Sequence, residues 1–279
     1  MDKKKLKKSL RSREKLFGAW VSYAEPSITE TFAKAGFDFL AIDMEHSTIT
    51  LPEAKGIITS SQSHNVPCLP RPVSHSNDFI KPLLEFGADG MLIQMVNSSE
   101  EVKKIINHIK YPPIGKRSYG VNRAQGYGFD FDDYINNWND NSVFVIQVES
   151  IEAVKNIDSI LSHHEIDGVM IGPYDISGSL GVPGQLDHPD VIDASKKVIN
   201  SCQKFGKSCG TQLNDPNFKS VAGRLEEILR GIVDPDDADE RAYIAQCALI
   251  KKHGGRDRII DRGAFQGSPV PGETPIFVS

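Results

Sequence analysis

The chain has 279 residues, 39% of them hydrophobic and 25% charged, which is ordinary for a soluble globular protein. Its net charge of −5 gives no sign of a nucleic-acid or anionic-membrane partner. The four cysteines form no CxxC pair, which excludes a zinc ribbon and indicates reduced thiols in a cytoplasmic protein.

The N-terminal segment is basic, since eight of its first fifteen residues are Lys or Arg. A signal peptide would continue with an apolar stretch of about 7–15 residues, and none follows. No part of the sequence approaches the roughly 20 apolar residues that span a bilayer. We therefore predict a solvated first helix, no membrane association and no nucleic-acid partner, because short charge runs are usually solvated faces.

Seven short apolar runs alternate with segments of helical spacing between residues 16 and 213. Strands that are apolar throughout are buried on both faces, which indicates parallel strands covered by helices. No GxGxxG motif follows the first run, so the pattern favours a closed (β/α)8 barrel over a nucleotide-binding sheet. The predicted strands cover residues 16–23, 37–44, 67–73, 90–96, 143–150, 168–175 and 207–213.

Two regions depart from this rhythm. Residues 112–130 are rich in Gly, Pro and aromatics, which fits a functional lid or subunit contact as well as a plain surface loop. After residue 224 an eighth strand is not recognisable, so we divide the chain into a catalytic barrel, 1–224, and an atypical tail, 225–279. Either the terminal IFVS closes the barrel, or a frameshift or rearrangement has altered the tail. The abrupt change of composition favours the second alternative and predicts a poorly packed tail.

The active site of such a barrel lies at the C-terminal ends of its strands, where several polar side chains fall. His46 follows the second strand and suits a general base whose ring Asp43 orients, although it also suits a cap of the loop. Arg71 stands between two prolines after the third strand. It suits a fixed cation facing an anionic oxygen as well as an ordinary surface ion pair.

Carboxylates follow the fifth and sixth strands. Gln147 and Glu149 alternate along strand five and share one face, where their burial requires a bound metal or a polar network. Asp175, after the Gly-Pro turn, either joins Glu149 or caps the turn at Ser177. Two carboxylates suit a hard divalent cation, Mg²⁺ or Mn²⁺, with Co²⁺ or Zn²⁺ as further candidates.

Six segments resemble successive blocks of the HpcH/HpaI aldolase family: AGFDFLAIDMEH, PCLPRP, KPLLEFGADGMLIQMV, YPPIGKRSYG, VIQVES and DGVMIGPYDIS. They keep the order and spacing of the family across about residues 16–213, and the set is specific although QxE or GPxD alone would be weak. The resemblance implies a TIM-type barrel of the phosphoenolpyruvate/pyruvate superfamily and a class II, metal-dependent aldolase. Such an enzyme joins a pyruvate enolate to an aldehyde, or cleaves a 4-hydroxy-2-oxo acid into the two.

The resemblance also implies roles for the residues around the base. His46 matches the catalytic base, and Asp43 and Glu85 match acidic positions that support it. Arg71 matches the residue that stabilises the enolate. No lysine is required, because in this class the metal replaces the Schiff base.

The metal and substrate positions follow in the same way. Glu149 and Asp175 match the two metal ligands. The positions that match substrate-binding residues are Gln147, Gly172, Pro173, Tyr174, Asp175 and Leu213. The family commonly has Ala in place of Tyr174, which changes the size of the pocket.

Two alternatives compete with this interpretation. A citrate-lyase-β-like or malyl-CoA-lyase-like enzyme shares the barrel and the paired acids, but the Glu45-His46 dipeptide argues against it. A non-catalytic subunit with a disabled barrel would release no pyruvate from a 4-hydroxy-2-oxo acid. The family's typical assembly, a dimer of trimers, implies a homohexamer, which the unusual tail makes less certain.

Overall fold

The computed structural model describes residues 1–213 and 276–278, with the backbone alone at Leu213 and in the terminal segment. Eight strands form one parallel sheet: β1 (Phe17–Val21), β2 (Phe39–Asp43), β3 (Cys68–Arg71), β4 (Gly90–Ile93), β5 (Val143–Val148), β6 (Gly168–Ile171), β7 (Ser208–Leu213) and β8 (Ile276–Val278).

The sheet closes on itself as a (β/α)8 barrel. Its order is β3-β2-β1-β8-β7-β6-β5-β4. The end strands β3 and β4 lie side by side, where the backbone N–H of Asp89 donates to the carbonyl of Cys68 at 3.0 Å. The seven predicted strands are thus all present, each one to four residues shorter at its ends than the apolar run suggests.

Helices cover the outside of the barrel. They are α1 (Lys3–Arg11), α2 (Pro26–Lys34), α3 (Leu51–Ser63), α4 (Asn77–Glu85), α5 (Ser99–Ile109), α6 (Phe131–Asn141), α7 (Ile151–Lys155), α8 (Ile157–Leu161), α9 (Pro173–Ser179) and α10 (Pro189–Lys204). Local chemistry sets their ends: Ser98 caps α5 by accepting from the Glu101 amide, and Gly206, at φ +64°, follows the end of α10. Among the described residues, no helix has the length and apolarity to cross a membrane.

The strands separate two apolar layers. In β5, Phe144, Ile146 and Val148 pack against the helices, whereas Val143 and Val145 belong to a cluster inside the barrel. This alternation explains why the strand sequences are apolar at nearly every position.

The first helix is less solvated than the sequence predicts. Leu6 and Leu10 of α1 are buried and join the cluster inside the barrel, so the helix covers the N-terminal opening. Two of its cations are also engaged, because Lys7 Nζ lies 2.7 Å and Arg11 Nε 2.8 Å from the buried carboxylate of Asp167. The basic helix therefore completes the barrel and leaves only its outer face to solvent.

The eighth strand comes from the end of the chain. Phe277 pairs with Gly18 of β1 on one side and with Gln212 of β7 on the other. The alternative that the composition disfavoured, closure by the terminal IFVS, is therefore the observed one, because β1 and β7 would otherwise present open hydrogen-bonding edges. Residues 214–275, on which the expectation of a poorly packed tail rests, lie outside the described residues.

The segment 112–130 is anchored at one side and exposed at the other. Arg117 and Gln125 are buried and both contact the carboxylate of Glu85, the last residue of α4. Tyr127 and Phe129 are exposed, the latter by 94%. The segment thus has a buried, hydrogen-bonded side and an exposed aromatic side. Its role as a lid, a subunit contact or a plain surface loop stays a prediction.

The packing of α1 over the N-terminal opening of the barrel leads to a stability prediction. Leu10→Ala should lower the free energy of unfolding by about 2–5 kcal/mol, because it leaves a cavity in the barrel interior. Lys4→Ala, at an exposed position of the same helix, should change it by less than about 0.5 kcal/mol. Denaturant unfolding of both variants checks this, and equal small losses would contradict the packing of α1 inside the barrel.

Candidate active site

The carboxyl ends of the strands bring most of the predicted site residues together. Asp43 ends β2, Arg71 ends β3, and Gln147 and Glu149 lie at the end of β5. Asp175 follows β6 in the first turn of α9. Since that helix begins at Pro173, Asp175 does not cap a turn at Ser177.

Arg71 is 3% exposed, and its guanidinium occupies the centre of this group. Its Nη2 donates to Asp43 Oδ1 at 2.8 Å, and its Nη1 donates to Gln147 Oε1 at 3.2 Å. Its carbon atom lies 4.4 Å from the centre of the Trp20 ring, a cation–π contact. These partners hold the cation in one orientation and exclude the alternative of a surface ion pair.

Glu149 is held next to this cation by way of Gln147. Gln147 Nε2 donates to Glu149 Oε1 at 2.9 Å, and the backbone N–H of Met95 donates to Glu149 Oε2 at 2.9 Å. Burial raises the pKa of Glu149 to about 7 despite the Met95 hydrogen bond, and the charges of Asp175 and Glu45 act in the same direction.

Glu149 and Asp175 face each other across Gly172. A β-carbon at Gly172 would lie 3.0 Å from Glu149 Oε1 and 3.4 Å from Asp175 Oδ2. Only a residue without a side chain leaves this space open between the two acids.

This arrangement fits a divalent metal ion. Glu149 and Asp175 are neighbouring carboxylates, and burial raises the pKa of Glu149 although Arg71 acts in the opposite direction. A divalent cation would supply the further positive charge that the pair requires. The part of the chain that the structure describes has no group of three or more His, Cys, Asp or Glu side chains suited to a metal. Glu149 and Asp175 would therefore need water or substrate oxygens to complete the coordination.

His46 lies at the rim, with 70% of its side chain exposed. Asp43 Oδ1 accepts hydrogen bonds from the backbone N–H groups of Glu45 and His46, at 3.1 and 3.0 Å. The loop amides and Arg71 thus share this oxygen, and the carboxylate found beside the imidazole ring is that of Glu45, 3.7 Å from Nε2. That Asp43 orients the ring stays a prediction. Asp43 positions the loop that carries the histidine.

Glu45 is a site residue that the sequence analysis did not identify. Its Oε2 lies 3.1 Å from Arg71 Nη1 and 3.7 Å from His46 Nε2, and burial raises its pKa. Trp20 was missed as well, and its buried Nε1 has no hydrogen-bond partner among the described residues. The position of Glu45 directly before His46 could have identified it as a site residue. Nothing in the sequence identified Trp20.

Three other predicted residues, Glu85, Tyr174 and Leu213, lie away from the Arg71 cluster or beyond what the structure describes. The carboxylate of Glu85 contacts Arg117 at 3.0 Å and Gln125 at 3.3 Å, so within the described chain the structure does not bring it to His46. Tyr174 is 62% exposed, and its hydroxyl lies beside Gly184. Leu213 ends β7 as predicted, but its side chain lies outside the description.

Comparisons with known proteins identify the family and support the fold. The model of the HpcH/HpaI aldolase/citrate lyase family matches residues 16–217, and the chain belongs to this family. The hydroxypyruvate/pyruvate aldolase of Roseobacter denitrificans is 38% identical over 214 residues, 75% of this chain and 82% of that protein. The 2-keto-3-deoxy-L-rhamnonate aldolase of Salmonella typhi is 35% identical over 216 residues, 75% and 79% of the two chains.

A solved structure supports the fold independently. The HpcH/HpaI aldolase from Desulfitobacterium hafniense superposes with a TM-score of 0.72 at 24% identity, covering 98% of this chain and 89% of that one. The family and the aldolases above make the chain a carbon–carbon lyase, and the solved structure shows that it is built on the same barrel. The alternative of a non-catalytic subunit is thereby removed.

The space at Gly172 allows a direct test. Gly172→Ala should lower turnover by up to about 10²-fold, because the new methyl group displaces the Glu149 carboxylate. Gly178→Ala is the matched control, since a methyl group there meets nothing within 4 Å. Steady-state kinetics with thermal unfolding checks both, and full activity of Gly172→Ala would contradict the close approach.

Proposed function

We propose that the chain is a metal-dependent class II aldolase that makes or cleaves a carbon–carbon bond between a pyruvate enolate and an aldehyde. The observation that carries the proposal is the pair Glu149 and Asp175 beside the buried guanidinium of Arg71. The relatives from Roseobacter and Salmonella, whose names are those of aldolases of 2-oxo acids, support the same substrate class.

The metal would be held by Glu149 and Asp175, with Mg²⁺ or Mn²⁺ preferred for oxygen ligands and Co²⁺ or Zn²⁺ as alternatives. When bound, a divalent ion supplies Lewis-acid stabilisation of the enolate charge. Arg71 adds a fixed positive charge at the same strand ends. Gln147 links Arg71 to Glu149, because its amide accepts a hydrogen bond from the first and donates one to the second.

His46 is the proposed general base. In the cleavage direction it takes the proton of the 4-hydroxyl group, directly or through a water, as the C3–C4 bond breaks to give the aldehyde and the enolate. Its exposure at the rim fits a group that exchanges this proton with solvent between turnovers. By the family resemblance, the backbone of Gly172–Tyr174 and Leu213 at the end of β7 complete the substrate site. Glu85, which the resemblance matches to an acidic position supporting the histidine, is bound to Arg117 instead and has no part in this proposal.

Variants of the two acids test the metal site. Glu149→Gln and Asp175→Asn should each abolish metal-dependent release of pyruvate while keeping the fold, because both remove a carboxylate ligand. Calorimetric titration with Mg²⁺ or Mn²⁺ measures the loss of binding. Undiminished metal affinity in both variants would remove these residues from the site.

The metal site should also depend on pH. The pKa of Glu149 is raised to about 7, so its carboxylate is protonated below that pH and ionised above it. Metal binding requires the ionised form, and the affinity should be about tenfold weaker at about pH 6 than at about pH 8. Titration at both values checks this; an affinity independent of pH would contradict the burial of an acid in the metal site.

The cationic and basic roles have separate tests. His46→Ala should lower kcat by about 10²–10⁴-fold with metal binding kept, as expected for a lost general base.

Arg71→Lys should also lower the rate, because an ammonium group cannot contact Asp43 and Gln147 at once as the planar guanidinium does. Rates close to wild type in either variant would remove that residue from the mechanism.

Three finer points belong to the same proposal. Screening aldehydes with pyruvate in the presence of Mg²⁺, Mn²⁺ or Co²⁺ would identify the second substrate and the preferred metal.

We further propose that the chain assembles as the homohexamer that the resemblance implies. Sedimentation would measure the size of this assembly. The cytoplasm is the proposed location because the described cysteines Cys68, Cys202 and Cys209 are free thiols.

A further inference from the structure

A second concave site lies on the outer helical layer, between α4, α5 and the loop that follows α5. It is a cavity of about 390 Å³. Its basic lining residues are Lys81, Lys104, His108, Lys116 and Arg117, and the others carry amide or hydroxyl groups. The lining contributed by the described residues therefore contains no carboxylate.

Most of the positive charge of this cavity has no ion-pair partner among the described residues. In the part of the chain that the structure describes, Lys81, Lys104 and Lys116 form no ion pair. A cavity of similar size, about 370 Å³, lies beside α8 and α10 and mixes Asp158 and Asp193 with lysines, one of them 2.6 Å from Asp158. Lysines on neighbouring helices therefore do not by themselves produce a cavity without carboxylates, and the basic cavity differs from the second one in this respect.

Arg117 adds a cation that the fold holds in one position at the wall of this cavity. Its side chain is buried, with Nη2 donating to Glu85 and Nη1 donating to the Tyr134 hydroxyl, both at 3.0 Å. Its Nε is buried as well but has no hydrogen-bond partner among the described residues. The hydrogen bonds to Glu85 and Tyr134 hold the guanidinium in a fixed position in the wall of the cavity, where it adds to the positive potential.

We propose that this cavity binds a small molecule that carries a diphosphate group. Burial lowers the pKa of His108, so at neutral pH the charge comes from three lysines and Arg117, and Glu85 offsets the last. About three uncompensated positive charges match a diphosphate, and lysine ammonium groups suit phosphoryl oxygens. None of the lining residues belongs to the strand-end site, so the ligand binds apart from the reacting carbon atoms.

Calorimetric titration with pyrophosphate tests the proposal. The full-length protein is first stripped of divalent ions and dialysed, so that pyrophosphate cannot bind through a metal at the active site. We expect saturable binding that weakens with added salt and falls by about tenfold or more in Lys81→Glu and in Lys104→Glu. A parallel titration with adenosine diphosphate distinguishes a free diphosphate from a nucleotide, since tighter binding assigns the nucleotide.

Two controls locate the effect. Lys197→Glu makes the same charge change at the mixed-charge cavity and should alter the affinity by less than about twofold. Asp175→Asn, at the active site, should leave pyrophosphate binding unchanged. Circular dichroism verifies folding, and Lys81→Gln with Lys104→Gln replaces the reversals if those variants fail to fold. No saturable binding to the wild type, or an equal loss in Lys197→Glu, would overturn the proposal.

Discussion

The guanidinium of Arg71 must be neutralised inside the barrel mouth, and the surrounding strand ends are arranged to do so. Leaving it unpaired would cost several kcal/mol, since the side chain is almost fully buried. Asp43 of β2 and Gln147 of β5 contact it from two sides, and the ring of Trp20 lies against its face. One oxygen of Asp43 also accepts the loop amides before His46, so the same carboxylate positions both the cation and the base.

The mouth nevertheless holds more acid than this cation can balance. Burial and neighbouring acids raise the pKa of Glu149, burial raises that of Glu45, and Asp175 lies across Gly172. The opposite end of the barrel differs, because Asp167 there lies between Lys7 and Arg11. The negative charge of Asp167 is thus neutralised at the N-terminal end of the barrel. The negative charge of Glu149 and Asp175 is only partly neutralised at the other end, where a cation and an anionic substrate would bind.

Both ends of the chain complete the barrel. Helix α1 covers the N-terminal opening with leucines that join the interior cluster, and β8 pairs with β1 and β7 at the seam. Neither element has a strong sequence signal: α1 is dominated by lysines and β8 is three residues long. The position of each depends on the surface it packs against, and residues distant in the sequence form that surface.

The sequence by itself determined the seven strands from β1 to β7, because strands buried on both faces must be apolar throughout. It also determined which polar residues end them, and parallel strands bring those ends to one side of the barrel. Only the tertiary structure decided that Asp43 serves Arg71 and the loop amides, that Glu45 belongs to the site and that Glu85 pairs with Arg117. The physical reason is that a carboxylate bonds to whichever donor lies nearest in space, and distance along the chain does not specify that donor.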